Sequence, residues 1–333
     1  MIGNSLGREI GWNEIVAARE RIARFARITP VMTCPALDRL SGSTAFFKCE
    51  NLQRTGSFKF RGAVNSLASL SPAEQKRGVV THSSGNHGQA LALAAGLHGV
   101  HATVVMPENA PAVKHMAVAE YGARVVFCQP TQRAREETAA RIIAETGAVF
   151  IDSHDEPAVI AGQGTAVVEL IEAMKSAMSS PDFVLVPVGG GGLLAGTAIA
   201  LAHLLPEAKV IGCEPAGADD AYRSFRSGKL STDRPPYTVA DGLRAPLGER
   251  TFAIAMEYVH DIIRVSEEEI LEAMQFIWER MKIVIEPSSA VAVAPLITGS
   301  LEAPGEQIGV ILSGGNIDLD RFFQSFPRHE HPK

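Results

Sequence analysis

Phe183–Leu201 reads FVLVPVGGGGLLAGTAIAL: an apolar run, four consecutive glycines, then a second run rich in Leu and Ala. The first run does not alternate, as in a strand covered on both faces, and the second has helix-forming composition. Where a buried strand turns at once into a helix, bare backbone N–H groups and a positive helix end meet at one point, which is a cradle for phosphate. A close turn needs one or two glycines, and four go beyond that need. The uncharged stretch runs from Phe183 to Leu205, 23 residues without Asp, Glu, Lys or Arg, and imitates a membrane span in length. Pro187 and the glycines interrupt it, so no span is expected.

The same strand-then-helix pattern repeats outward from this segment. Gly78–His82 precedes Gln89–Leu97, Ala102–Met106 precedes Val113–Tyr121, and Arg124–Cys128 precedes Ala134–Glu145. Lys209–Cys213 and Ile308–Leu312 are further apolar strands. The pattern predicts an α/β protein with mostly parallel sheets. No Pro/Gly/Ser-rich linker divides the chain, no fixed period repeats, and only the tail Pro327–Lys333 has a biased composition. A second domain is therefore expected as an insert, residues 78–152, within a large domain made of residues 1–77 and 153–333.

The 333 residues carry 31 Lys+Arg against 37 Asp+Glu, a formal charge of −6, and neither sign gathers into a run that would follow a phosphate backbone. Nucleic acid and membrane partners are not expected. Cys34, Cys49, Cys128 and Cys213 are too far apart for a zinc knuckle or a CxxC pair and read as reduced core thiols. The N-terminal stretch lacks the features of a secretory signal, so the expected location is cytoplasmic.

Four further segments carry chemistry. In Glu50–Ala63, ENLQRTGSFKFRGA, the Thr55-Gly56-Ser57 turn with Ser57 as cap would put Lys59 in the first turn of a helix. The positive helix end there favours the neutral amine that attacks a carbonyl. Most first-turn lysines are solvated, but Phe58, Phe60, Gly56 and Gly62 suggest a crowded, partly apolar setting. In Thr81–Gly96, the uncharged loop Ser83, Ser84, Gly85, Asn86 and His87 could clasp a carboxylate. No GxSxG elbow surrounds its serines, and His82 and His87 are poorly spaced for one metal. Glu214–Asp220, EPAGADD, is either a solvated acidic loop or a site for a hard divalent cation. Ser313–Asp318, SGGNID, follows a strand and places a hydroxyl where α/β ligands bind. At the glycine run, Gly190, Gly192 and Ala195 also fit the dinucleotide pattern G-x-G-x-x-A, with Glu214 at about the distance of a ribose-binding acid, so a nicotinamide cofactor stays open on these residues alone.

Taken in order, these segments, with RITPVM (Arg27–Met32), EPAVIAGQGT, TVADGL and WERMKIVIEPSSAV, resemble the serine racemase and serine/threonine dehydratase family of fold type II pyridoxal-phosphate enzymes. The likeness spans nearly the whole chain and displaces the nicotinamide reading. It implies a tryptophan synthase β-like fold of two open, mostly parallel, twisted α/β domains. It also implies that Lys59 bonds the cofactor aldehyde with Phe58 beside the ring, that Gly189, Gly190, Gly191, Gly192 and Leu193 hold its phosphate, that Asn86 bonds the ring hydroxyl and that Ser313 meets the pyridine nitrogen. A neutral serine there leaves a weaker electron sink, which favours expelling a β-substituent. Ser83, Ser84, Asn86 and His87, assisted by Arg135, would surround the substrate carboxylate. Glu214, the Ala218 carbonyl and Asp220 match the family's magnesium, calcium or manganese site.

The activity so implied is elimination of water from L-serine, L-threonine or L-threo-3-hydroxyaspartate to give a 2-keto acid and ammonia, with Lys59 as the base. The alternative is an amino-acid racemase in which Ser84 returns a proton to the opposite face. SSGN, where many plain threonine dehydratases have SAGN, leaves that route open. A cofactor-carrying sensor on a decayed enzyme is disfavoured by the intact Lys59. The resemblance further implies a homodimer without isoleucine feedback. Gln89, Lys114 and Tyr121 match positions of nucleotide control, but Arg54 stands where the animal racemase has lysine, which weakens that expectation.

Overall fold

The computed structural model describes residues 10–110 and 112–319; the biased tail Pro327–Lys333 lies outside the described residues. Ten strands form two sheets. The larger contains β1 (Val31–Thr33), β2 (Thr44–Cys49), β7 (Phe183–Pro187), β8 (Lys209–Pro215), β9 (Asp261–Val265) and β10 (Gln307–Leu312), in the order β1-β2-β10-β7-β8-β9. Only β1 is antiparallel to its neighbour, and the parallel register sets Ile308 beside Ala45 and Val184 beside Val210. The smaller sheet, β5-β4-β3-β6, uses β3 (Val79–His82), β4 (Ala102–Pro107), β5 (Arg124–Cys128) and β6 (Val149–Phe150), all parallel. Its strands fall between β2 and β7 in the chain. The apolar strands β7, β8 and β10 are buried along nearly their whole length, as their lack of alternation requires, whereas β5 leaves Phe127 exposed. The 23-residue uncharged stretch resolves into β7, the glycine turn and the helix Gly192–Leu204, and no described helix is long and apolar enough to cross a membrane.

Three helices set the position of the site. Pro157–Ser176 lies between Lys59–Ser69 on one side and Gly192–Leu204 on the other, and glycines make both contacts. A Cβ on Gly162 would stand 2.6 Å from the Gly62 Cα and 2.8 Å from the Arg61 carbonyl oxygen. On the other side, a Cβ on Gly196 would stand 2.4 Å from the Ile160 carbonyl oxygen, and one on Gly164 2.7 Å from the Gly196 oxygen. These obstacles are backbone atoms, which cannot rotate out of the way as a side chain can. The helix that starts at Lys59 and the helix that starts in the glycine run are thereby fixed relative to one another through a shared middle helix.

A buried ionic cluster secures the first of these helices. Arg61 donates through Nε and Nη2 to both carboxylate oxygens of Glu50 at 2.8 Å and through Nη1 and Nη2 to Glu169 at 2.7 and 2.8 Å. Lys48 donates to Glu169 at 2.5 Å. Arg61, Glu50 and Lys48 have no exposed surface, so their charges are tolerable only because each is paired and hydrogen-bonded.

Replacing Gly162 with Ala should lower unfolding stability by about 1–3 kcal/mol, the usual cost of forcing extra atoms into a packed interior. Urea titration checks this, and an unchanged midpoint would show that the helices part without cost.

Candidate active site

The site lies at the carboxyl ends of the strands, where parallel sheets present ligands to loops and helix N-termini. Past β7, Gly189–Gly192 are all buried, and Gly191 takes φ +86°, a left-handed conformation that suits glycine. A Cβ on Gly189 would stand 2.8 Å from the Leu243 Cα, and one on Gly190 2.2 Å from the His154 ring. One on Gly191 would meet Leu247 and Thr251, and one on Gly192 the His154 carbonyl oxygen at 2.7 Å. Each of the four glycines is thus occupied by a close approach, and Leu193 opens the helix behind them. A bare loop in front of the 13-residue helix Gly192–Leu204 has the donor set that a phosphate requires.

Lys59 is the first residue of its helix, but Ser57 does not cap it. The Ser57 hydroxyl is buried without a hydrogen-bond partner, and Phe58 occupies the cap position without a side-chain bond. The capping expectation fails because Ser57 pairs through its backbone with Gly314, while Phe58 N donates to the Ser313 oxygen at 3.0 Å. This same pairing brings Lys59 and Ser313 together across more than 250 residues of sequence. Ser313 is 2% exposed, and its hydroxyl lies 3.2 Å from that of Ser289. The Lys59 ammonium nitrogen donates to the Ser153 carbonyl oxygen at 2.7 Å and lies 5.2 Å from the centre of the Phe58 ring. Surrounding protein strips water from the amine and lowers its pKa to about 8, with Asp152 and Glu286 pulling the other way.

Ser83, Ser84 and Gly85 form the loop between β3 and the helix Asn86–His98, with both serines half-buried. The Ser83 hydroxyl accepts from Gly85 N at 3.3 Å. Asn86 donates through Nδ2 to both oxygens of Glu286, at 2.8 and 3.1 Å, and accepts from Asn316 at 2.9 Å. His87 is 2% exposed, and its ring nitrogens have no partner of ordinary geometry. Burial and the nearby Lys59 push its pKa down to about 3, so it faces the site as a neutral ring.

Several further residues complete the site. Asp152, Ser153 and His154 form a turn against the glycine loop. Asp152 Oδ1 accepts from the backbone N–H groups of His154 and Asp155, both at 2.8 Å, and the His154 ring contacts the Ser153 hydroxyl at 2.9 Å. Glu286 is 3% exposed, and burial together with Asp241 raises its pKa to about 7. Asp152 and Glu286 carried no local signal, since an acid between strand and helix reads as a solvated turn. The EPAVIAGQGT and IEPSSAV segments containing or adjoining them were the available hint.

Two expected groups stand elsewhere. Arg135, on the helix Gln132–Thr146, lies near Cys128, and its Nε is buried without a partner. No hydrogen bond joins it to the Lys59 cluster among the described residues. Glu214 ends β8 fully buried, its two oxygens accepting from Ala221 N and Tyr222 N at 2.8 and 2.7 Å, so it caps the helix Asp220–Ser227 and holds no ribose. Burial, with Asp220 and Asp219 close by, raises its pKa to about 9. Asp220 accepts from Leu247 N at 2.7 Å, and Ala218 is buried in the turn before it. Among the described residues no group of three His, Cys, Asp or Glu side chains is arranged for a metal, although a carbonyl ligand such as that of Ala218 lies outside that count. Of the nucleotide-control positions, Gln89 is buried, Tyr121 is half-buried, and Lys114 is ion-paired with Asp241.

A desolvated lysine thus meets the Ser153–His154 turn that packs against the four-glycine loop, and comparisons with known proteins place these elements in a family. The family model described as "Pyridoxal-phosphate dependent enzyme" matches residues 22–314. A beta-hydroxyaspartate dehydratase of Paracoccus denitrificans (strain Pd 1222) is 45% identical over 310 residues, covering 93% of this chain and 97% of that one. A serine racemase of Dictyostelium discoideum is 46% identical over 310 residues, covering 92% and 94%. The solved structure of maize serine racemase superposes with a TM-score of 0.91 at 40% identity, covering 95% of this chain and 96% of that one. The match to the family over most of the chain and the close superposition on a solved relative show that this chain belongs to the pyridoxal-phosphate dependent enzymes of fold type II.

Proposed function

We propose that this protein is an ammonia-lyase that eliminates water from a small 3-hydroxy amino acid, L-serine, L-threonine or L-threo-3-hydroxyaspartate, to give a 2-keto acid and ammonia. The observation that carries the reading is Lys59, an amine lowered to about pKa 8 that bonds the turn packed against the glycine loop and follows Phe58, whose N–H bonds Ser313. When bound, pyridoxal phosphate supplies an electron sink for the bond broken at the substrate α-carbon. Gly189–Leu193 would hold its phosphate through backbone N–H groups, with Ser313 toward its ring nitrogen, Phe58 toward its face and Asn86 toward its hydroxyl. With a pKa close to working pH, Lys59 is neutral often enough to remove the α-proton and basic enough to hold it. The Ser83–His87 loop receives the substrate carboxylate through hydroxyls and amides, since neutral His87 brings no charge. Arg135 joins this set only if its helix moves inward. The small lobe in this reading is residues 78–152, and the helix Lys59–Ser69 packs against elements of both lobes.

Racemisation is the second reading, favoured by the presence of the Ser84 hydroxyl on the substrate loop. Ser84 would return a proton to the face opposite Lys59. Relatives named as dehydratase and as racemase match this chain equally well.

A divalent cation, magnesium, calcium or manganese, is proposed beside Glu214 and Asp220, where burial raises the pKa of both carboxyl groups and Asp220 raises that of Glu214 further. The Ala218 carbonyl completes the proposed ligands, and the role is support of shape more than chemistry. The protein acts in this reading as a cytoplasmic homodimer, in keeping with four buried, unpaired cysteines. Engagement of Lys114 by Asp241 argues against nucleotide control.

The deciding assay supplies each hydroxy amino acid and quantifies keto acid and D-amino acid. Keto acid should dominate, and replacing Lys59 with Ala should reduce turnover by about 1,000-fold or more; retained elimination in that variant would refute the assignment. Ser84→Ala should lose D-amino acid while keeping keto acid, and equal loss of both would remove Ser84 from proton transfer. Millimolar magnesium should raise the melting temperature of the wild type and leave Glu214→Gln with a smaller rise. Identical rises would place any bound cation elsewhere.

A further inference from the structure

We infer that Asp152 is a positioning residue for Lys59: it closes the turn that aims the Ser153 carbonyl at the lysine amine, and it holds a carboxylate beside that amine from the loop that abuts the glycine run. The inference deepens the proposed role of Lys59 and rests on that reading. Three contacts carry it. Asp152 Oδ1 accepts from His154 N and Asp155 N at 2.8 Å each, which closes the turn and points the intervening Ser153 carbonyl outward. That carbonyl oxygen takes the hydrogen bond from Lys59 Nζ at 2.7 Å. The turn is itself clamped: the His154 ring and carbonyl lie against Gly190 and Gly192, while Asp155 accepts from Thr251 N at 2.9 Å at the start of the helix Glu249–Tyr258.

The charged and titratable groups facing Lys59 come from three elements. His87, at the start of its helix, and His154, in the turn, are both kept neutral by burial. Glu286, before the helix Pro287–Ala290, has its own pKa raised to about 7 by burial and Asp241, so it is only partly ionised near neutrality. Burial works against a charge on Asp152 too, but the nearby His154 ring and the two backbone donors outweigh it and hold its pKa below the usual carboxylate value. Asp152 is accordingly the steady negative charge near the amine. Removing that charge makes the ammonium harder to keep, and the lysine loses its proton at lower pH.

The test separates the turn from the charge. Asp152→Asn keeps an oxygen that can accept both backbone bonds and removes the charge; Asp152→Ala removes both. In the full-length chain stripped of cofactor, competitive labelling with trace acetic anhydride reads the neutral amine directly, because the amine nitrogen bonds the acetyl carbon, acetate leaves and a proton is released. Mass spectrometry of the Lys59 peptide across pH 6–10 should place the wild-type midpoint near pH 8 and the Asp152→Asn midpoint about one pH unit lower. In the holoenzyme, the acidic limb of kcat for Asp152→Asn should move in the same direction with little change in melting temperature. For Asp152→Ala, kcat should fall at least about tenfold further than for Asp152→Asn at each variant's optimal pH, as a loosened base requires. An unchanged labelling midpoint in Asp152→Asn overturns the inference, as does an Asn variant that matches Ala in kcat. If the labelling shift is found and no hydroxy amino acid is turned over, the inference stands and the proposed reaction falls.

Discussion

The contact on which the rest of this structure depends is glycine against backbone along the helix Pro157–Ser176. Gly162 meets Gly62 and the Arg61 carbonyl, and Gly164 meets Gly196, with no space for a methyl group at any of these points. One helix therefore carries the lysine-bearing helix on one flank and the phosphate-loop helix on the other. A catalytic amine and an anion cradle must hold their separation to within a fraction of an ångström, since small displacements cost large factors in rate. Helices touching through side chains could slide by repacking, whereas helices touching backbone to backbone have nothing to repack. The Arg61–Glu50–Glu169–Lys48 cluster adds direction to that contact, because forked charge-assisted bonds tolerate little rotation.

On that frame the electrostatics of the lysine become a balance of unlike terms. Burial drives the amine toward neutrality, and two carboxyl groups restrain it. Neither alone would give a useful base: an unburied lysine stays protonated at neutral pH, and a buried one without counter-charge gives up its proton too readily to hold one from the substrate. The pairing of Glu286 with Asn86 brings the same economy to the seam between the two sheets, where one carboxyl group fixes the start of the substrate-loop helix and contributes to the field at Lys59.

The strand, glycine turn and helix at Phe183–Leu204 were legible because their signal is local: all three are adjacent in the chain. The strands β3, β4, β5, β7, β8 and β10 were legible for the same reason, each being an apolar run of its own. The short strands β1, β6 and β9 were not, since edge pairing of two to five residues is decided by neighbours distant in sequence. Lys59 stood out through its flanking aromatics and glycines, yet the cap assigned to Ser57 was mistaken, because a bridge to Gly314 some 250 residues away overrides the local preference. Glu214 illustrates the converse. Its place after a strand suggested a ribose-binding acid, and in the fold its two oxygens accept from the N-terminus of the following helix. Asp152 and Glu286 were invisible as site residues, since their meaning comes entirely from what tertiary packing brings opposite them.

The most direct measurement of the central claim is borohydride reduction of the protein loaded with pyridoxal phosphate, followed by peptide mass spectrometry. The arrangement described here predicts a pyridoxyl label on the peptide containing Lys59 and on no other, at close to one per chain. A label spread over other lysines, or absent from that peptide, would contradict the account that the glycine-packed helices exist to hold Lys59 against the phosphate cradle.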